Sequence, residues 1–179
     1  MNALVIYAHP NPQSFNAAIL GVVRETLEQK GADVKVKDLY AMNWNPVLSA
    51  SDFQQYMNKQ TPADIAAEQA DVAWADLMIM ICPIWWISVP AILKGYVDRV
   101  LSNGFAYEYT DTGARGLLGG KRAFVITTSG ADKKANDDTG MMRMFNATVV
   151  NGIFNFVGIS DVKSMNCFGV VTAYDDERR

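Results

Sequence analysis

The segment from Ile81 to Leu101 constrains this chain more than any other part of it. It leaves the apolar run Leu77-Met78-Ile79-Met80-Ile81, which has no polar alternation and so reads as a strand buried on both faces. Pro83 removes a backbone donor and is expected to stop the ladder. Trp85, Trp86 and Ile87 follow in a loop where solvated residues would be ordinary. Val89-Pro90-Ala91 then opens a helix, with Pro90 expected in its first turn, where a missing N–H costs nothing. In open α/β sheets, ligands bind at the carboxyl edge of the strands. Two tryptophans at that edge form a wall for a flat apolar ligand.

The rest of the chain alternates in the same way. Ala3–Ala8 reads as a first strand, and Ser14–Lys30 as a helix with Ser14 as N-cap and Gly31 as its stop. Val34–Leu39 alternates Val and Lys, as an edge strand does. A long connection from Tyr40 to Thr61 precedes a helix over Pro62–Ala75 and the third strand, Leu77–Cys82. The tryptophan loop leads into a helix over Val89–Leu101. Arg122–Thr128 is a fourth strand, a helix falls between Asp138 and Phe156, and Val162–Val170 is a fifth strand. Strands separated by helices imply right-handed crossovers. The expected fold is therefore α/β: one domain over residues 1–179, a doubly wound five-stranded parallel sheet in a three-layer αβα arrangement. The charged end, Asp175-Asp176-Glu177-Arg178-Arg179, reads as the start of a final helix.

Composition narrows the partners. Half the residues are hydrophobic, and 16 basic and 19 acidic residues are mixed along the chain for a net charge of -3. No basic stripe marks a nucleic-acid surface, and no apolar run is long enough to span a bilayer. Cys82 and Cys167 fall within strands without metal-type spacing, as inert buried thiols of a reducing compartment do. No charged leader precedes the first strand, so the expected location is cytoplasmic.

Three loops leave the carboxyl ends of strands one, three and four, where this fold brings them together. The first, His9-Pro10-Asn11-Pro12-Gln13-Ser14-Phe15-Asn16, runs into a helix N-terminus whose free N–H groups and dipole suit a phosphate, with Ser14 and Asn16 adding side-chain donors. The same residues also serve as an ordinary cap. His9 is the only histidine and reads equally as a local hydrogen-bonder. The second loop holds the tryptophans; one of the two adjacent rings faces the cleft or a partner subunit. The third, Thr127-Thr128-Ser129-Gly130-Ala131, offers hydroxyl and N–H donors that can stabilise charge developing on a ring carbonyl. Phosphate cradle, aromatic wall and donor-rich turn together describe a flavin mononucleotide site.

On these residues the chain resembles the flavodoxin-like NAD(P)H:quinone oxidoreductase family. His9 with Ser14-Phe15-Asn16 is similar to the family's flavin-phosphate motif. Pro83-Ile84-Trp85-Trp86, then Val89-Pro90-Ala91-Ile92-Leu93-Lys94-Gly95 and Phe105-Ala106-Tyr107, resembles its longest signature. Thr127-Thr128-Ser129-Gly130 is similar to its Thr-Thr-Gly-Gly turn. The resemblance implies the sheet order 2-1-3-4-5 and a ping-pong, two-electron reaction. NAD(P)H would deliver hydride to flavin N5, and a quinone, azo or nitro compound would then take it up. Pro83, Ile84, Trp85, Trp86 and Ile87 would flank the ring, and Thr127 to Ala131 would hold its pyrimidine side. Trp86, Phe105, Tyr107 and Met141 would line the substrate pocket, completed across a homodimer. The family's tyrosine and histidine after the Thr-Thr-Gly-Gly turn are absent here, leaving backbone donors and Lys133 or Lys134 to balance charge on the reduced ring. FMN is favoured over FAD; NADH and NADPH are both open. A rival function on the same fold is a flavin-binding regulatory subunit of a membrane transporter. No cluster of carboxylates follows the first strand, so a metal-dependent receiver domain is excluded and no metal is expected.

Overall fold

A computed structural model of the chain describes residues 1–171. The expected helix start at Asp175 lies outside them. In chain order the first half runs β1 (Asn2–Tyr7), α1 (Phe15–Gln29), β2 (Asp33–Asp38), α2 (Ala50–Met57), α3 (Ala63–Trp74), β3 (Leu77–Pro83) and α4 (Ala91–Val100). The second half runs β4 (Tyr107–Thr110), β5 (Gly113–Gly116), β6 (Arg122–Thr128), α5 (Lys133–Thr139), α6 (Met141–Asn146), a π-helix (Ala147–Asn155) and β7 (Asp161–Cys167).

Five strands form a parallel sheet in the order β2-β1-β3-β6-β7, which is the expected 2-1-3-4-5 with the intervening hairpin left out of the count. The order reverses direction between β1 and β3, so a crevice opens beyond their carboxyl ends. Both faces of the central strands are buried. Leu4, Ile6, Met78, Met80, Ala123 and Val125 pack under α3, α4 and the π-helix, through Ile65, Val72, Leu93, Tyr96, Val149 and Phe154. Ala3, Val5, Tyr7, Ile79 and Ile81 face the other way, against Leu27 and the apolar stripe of α1. That two-sided burial is why these strands carry no alternation.

Several elements depart from expectation. Pro83 does not end its strand: it pairs with Thr128, and the Ile84 N–H still donates to the Thr128 carbonyl at 2.8 Å. The Ala8 N–H donates to the Ile81 carbonyl, so Ile81, and by alternation Pro83, turns its backbone groups toward β1. β1 has already finished at that level, and the missing N–H breaks nothing. Pro90 is the N-cap of α4, one residue earlier than its first turn, with its carbonyl accepting from the Leu93 and Lys94 N–H groups. The segment after Phe105, expected as an aromatic patch on a loop, forms the antiparallel hairpin β4–β5, so the described residues hold two strands beyond the five. The long connection contains α2, which opens on a capping box between Ser49 and Asp52. The single helix expected between Asp138 and Phe156 is broken at Gly140, in the left-handed region at φ 68°, and continues as α6 and the π-helix. Cys82 is buried, whereas Cys167 is only half-buried.

Candidate functional site

The three loops meet as the topology requires. Asn16, in the first turn of α1, is 2% exposed, and its Nδ2 donates to Thr128 Oγ1 at the end of β6, 2.9 Å away. Its Oδ1 is buried without a partner. The His9 and Trp85 rings lie 6.3 Å apart between centroids. Loop one is ordered by short-range bonds. His9 Nδ1 lies 3.0 Å from the Asn11 nitrogen and 3.2 Å from the Asn11 carbonyl oxygen, so Nδ1 is engaged within the loop and Nε2 is the ring nitrogen left to face outward. Ser14 caps α1 by accepting from the Ala17 N–H. Phe15 is exposed. The Phe15 and Asn16 N–H groups have no acceptor among the described residues.

The tryptophan loop is a two-residue hairpin. Trp85 and Ser88 exchange N–H···O bonds of 2.9 and 3.0 Å, and Trp86 and Ile87 between them have φ of 54° and 57°. Positive φ at both central residues is the signature of a type I′ turn, ordinarily made by Asn-Gly. A β-branched residue in that region is an outlier costing on the order of 1–2 kcal/mol. The strain holds Trp86 99% exposed and leaves the Trp86 and Ile87 N–H groups without acceptors among the described residues. Strain of this kind gathers where a ligand is clamped. Pro83 and Ile84 carry the loop on the end of β3.

The third loop, Thr127 to Ala131, differs from its sequence reading. Its hydroxyls are mostly turned inward. Thr127 Oγ1 donates to Asn166 Oδ1 at 2.9 Å, and Ser129 Oγ donates to the Ala131 carbonyl at 3.3 Å. Thr128 Oγ1 faces Asn16. Its outward donors are backbone groups: the N–H groups of Gly130 and Ala131 have no acceptor among the described residues. The two asparagines that hold this turn, Asn136 and Asn166, went unread in the sequence because a lone asparagine carries no motif. Lys133 and Lys134 are exposed and paired with Asp137 and Asp138 one helical turn on.

The residues expected to form a substrate pocket do not all gather here. Tyr107 packs edge-on against Phe156 at 5.0 Å and lines a cavity of about 330 Å³ with Leu48, Phe53 and Leu101, to which the tryptophan loop does not contribute. Phe105 is packed against the core, and Met141 is half-buried at the start of α6. No cluster of three metal-ligating side chains occurs among the described residues.

Comparison with known proteins agrees with this geometry. The pattern of the family described as having a flavodoxin-like fold matches residues 1–179. An uncharacterized NAD(P)H oxidoreductase of Haemophilus influenzae is 39% identical over 180 residues, covering 100% of this chain and 89% of its own. The human ribosyldihydronicotinamide dehydrogenase [quinone] is 34% identical over 196 residues, covering 98% and 85%. Among solved structures, the NAD(P)H:quinone oxidoreductase of Methanothermobacter marburgensis superposes with a TM-score of 0.87 at 29% identity, covering 99% of this chain and 88% of its own. The chain belongs to the flavodoxin-like family that includes the NAD(P)H:quinone oxidoreductases, and it is an oxidoreductase of that family.

Proposed function

We propose that this protein binds FMN at the meeting point of its three loops and transfers two electrons from NADH or NADPH to a quinone or another flat acceptor, such as an azo or nitro compound. One observation carries the reading. Three pairs of N–H groups without acceptors among the described residues, on Phe15 and Asn16, Trp86 and Ile87, and Gly130 and Ala131, lie in the three loops of one sheet edge beside a fully exposed tryptophan in a strained turn. The relatives named as NAD(P)H oxidoreductases and quinone dehydrogenases support it.

The residues fit the group. The α1 N-terminus and His9 Nε2 suit a phosphate, which favours anions on both dipole and donor grounds. An Asn16 amide turned end for end would let Thr128 Oγ1 donate to Oδ1 and put the NH₂ in the partnerless position, where a bound phosphate oxygen would pair it. Bound flavin supplies the two-electron chemistry. The chain supplies the rest: Trp85, Trp86 and Ile87 shape a slot for flat rings, and the backbone donors of the two turns receive negative charge. With Lys133 and Lys134 engaged by carboxylates, charge balance falls to those backbone donors.

Sequential use of one slot by donor and acceptor makes the reaction ping-pong. The aromatic cavity beside Tyr107 and Phe156 takes no lining residue from the tryptophan loop of its own chain, a pattern that suits a homodimer whose sites are completed by the partner. Free thiols suit a reducing, cytoplasmic setting. No helix among the described residues is long and apolar enough to cross a membrane. The test is an absorbance spectrum of the purified protein, repeated without air after adding NADH or NADPH. Flavin bands that bleach establish cofactor and donor together. A colourless protein that also refuses added FMN and FAD overturns the reading and moves the transporter-subunit function forward.

A further inference from the structure

The Ala131 carbonyl accepts three donors at once: the Gly169 N–H at 3.0 Å, Asn136 Nδ2 at 3.2 Å and the Ser129 hydroxyl at 3.3 Å. A carbonyl ordinarily takes one or two. Asn136, 1% exposed, also donates to the Asp132 carbonyl at 2.9 Å. Ser129, 5% exposed, is held in turn by Asn166 Nδ2 at 2.9 Å, and the Ser129 carbonyl accepts from the Val170 N–H at 2.9 Å. The Ser129 and Ala131 carbonyls are thus held by donors from the residues after β7, from α5 and from the Ser129 hydroxyl, which β7 in turn braces through Asn166.

In a trans peptide, the C=O and the next N–H point in opposite directions. Fixing the Ser129 and Ala131 carbonyls on the β7 side therefore turns the Gly130 and Asp132 N–H groups the other way, toward β3 and the tryptophan loop. Neither N–H has an acceptor among the described residues. The arrangement spends side-chain donors inside the turn to aim backbone donors out of it.

We propose that Asn136 and Asn166 are positioning residues that preorganise the Gly130 and Asp132 N–H groups as a receptor for the negative charge of reduced flavin. The inference rests on the flavin reading above. A donor aimed in advance stabilises an anion without reorganisation, so it favours the reduced, anionic cofactor over the neutral oxidised one. A brace with a merely structural role would support both forms equally.

The experiment compares dissociation constants of oxidised FMN, by fluorescence, and of reduced FMN, by anaerobic titration, for the wild type, Asn136→Ala and Asn166→Ala. In each variant we expect oxidised FMN to stay within about threefold of wild type and reduced FMN to weaken about tenfold. A tenfold change in that ratio is about 30 mV in the two-electron potential. Equal loss of both forms, or no loss of either, overturns the positioning role. If Asn136→Ala does not fold, Asn166→Ala carries the same expected ratio from a different element. Wild type that binds neither form overturns the flavin reading itself, a failure distinct from variants that behave like wild type.

Discussion

Asn16 and Thr128 lie 112 residues apart, yet Asn16 Nδ2 donates to Thr128 Oγ1 at 2.9 Å in the interior. This bond ties the N-terminus of α1 to the end of β6, across the point where the sheet reverses its order. Asn16→Ala removes the tie and leaves a buried hydroxyl short of a partner. A cost of about 1–2 kcal/mol in stability is expected, readable by urea unfolding. FMN affinity should fall at least about tenfold if the amide also meets the phosphate. Unchanged affinity with lowered stability would confine Asn16 to the tie.

The strained turn makes a prediction of opposite signs. Ile87→Gly puts the residue that a type I′ turn favours at its second central position. The left-handed strain it relieves exceeds the added chain entropy of glycine, so stability should rise by up to about 1 kcal/mol. Quinone turnover should fall, because Ile87 forms part of the slot beside Trp86. A variant that is both more stable and fully active would deny the turn a role at the site.

Most of the sheet was legible in sequence because Leu77–Ile81 and the run from Ala123 to Ile126 are apolar on both faces, and few other structures accept such runs. The hairpin was not, because Tyr107–Thr110 and Gly113–Gly116 are short, mostly exposed strands with little apolar pattern. α2 was legible in principle, since Ser49 and Asp52 have capping-box spacing; the prolines and tryptophan around it masked the signal. In the site, the loops could be read but not their hydrogen bonds. Thr127 and Ser129 look like free donors in sequence, and only the fold brings Asn166 Oδ1 to accept from Thr127 and the Ala131 carbonyl to accept from Ser129.

Cys82 is wholly buried in β3, and burial pushes its thiol well above the ordinary range. The native protein at pH 8 should therefore show at most one reactive thiol, that of Cys167, against two after unfolding in guanidinium. Rapid labelling of both in the native state would contradict the packing of the central strand.

Gly95 lies where α4 crosses the long connection: a Cβ there would sit 2.1 Å from the Pro46 carbonyl oxygen. That close approach is what carries Trp44 onto Tyr96, with ring centroids 5.3 Å apart. Gly95→Ala must push the helix and the connection apart, and a loss of about 2–3 kcal/mol is expected by urea unfolding. A loss below about 0.5 kcal/mol would show that the connection yields freely.

The same connection is pinned by a buried ion pair that dictates an acid transition. Arg99, 4% exposed on α4, donates through Nε to Asp52 at 3.1 Å and through Nη1 to Asp64 at 2.7 Å. Burial alone raises the Asp52 carboxyl, but hydrogen bonds from Arg99 and Ser49 outweigh it and hold it below the ordinary range. A group whose folded value is depressed stabilises the fold fully above its unfolded value of about 3.9, and loses that contribution as pH falls through the folded value. Asp52→Asn should cost about 1–2 kcal/mol at pH 7, because Arg99 loses its buried carboxylate partner and keeps only the half-exposed Asp64. Below about pH 4, wild type sheds the same stabilisation and the gap between the two proteins should close. Urea unfolding at both pH values checks it. A gap that stays constant across that range would mean that neutral packing around Asp52, rather than its charge, holds α2 against α4.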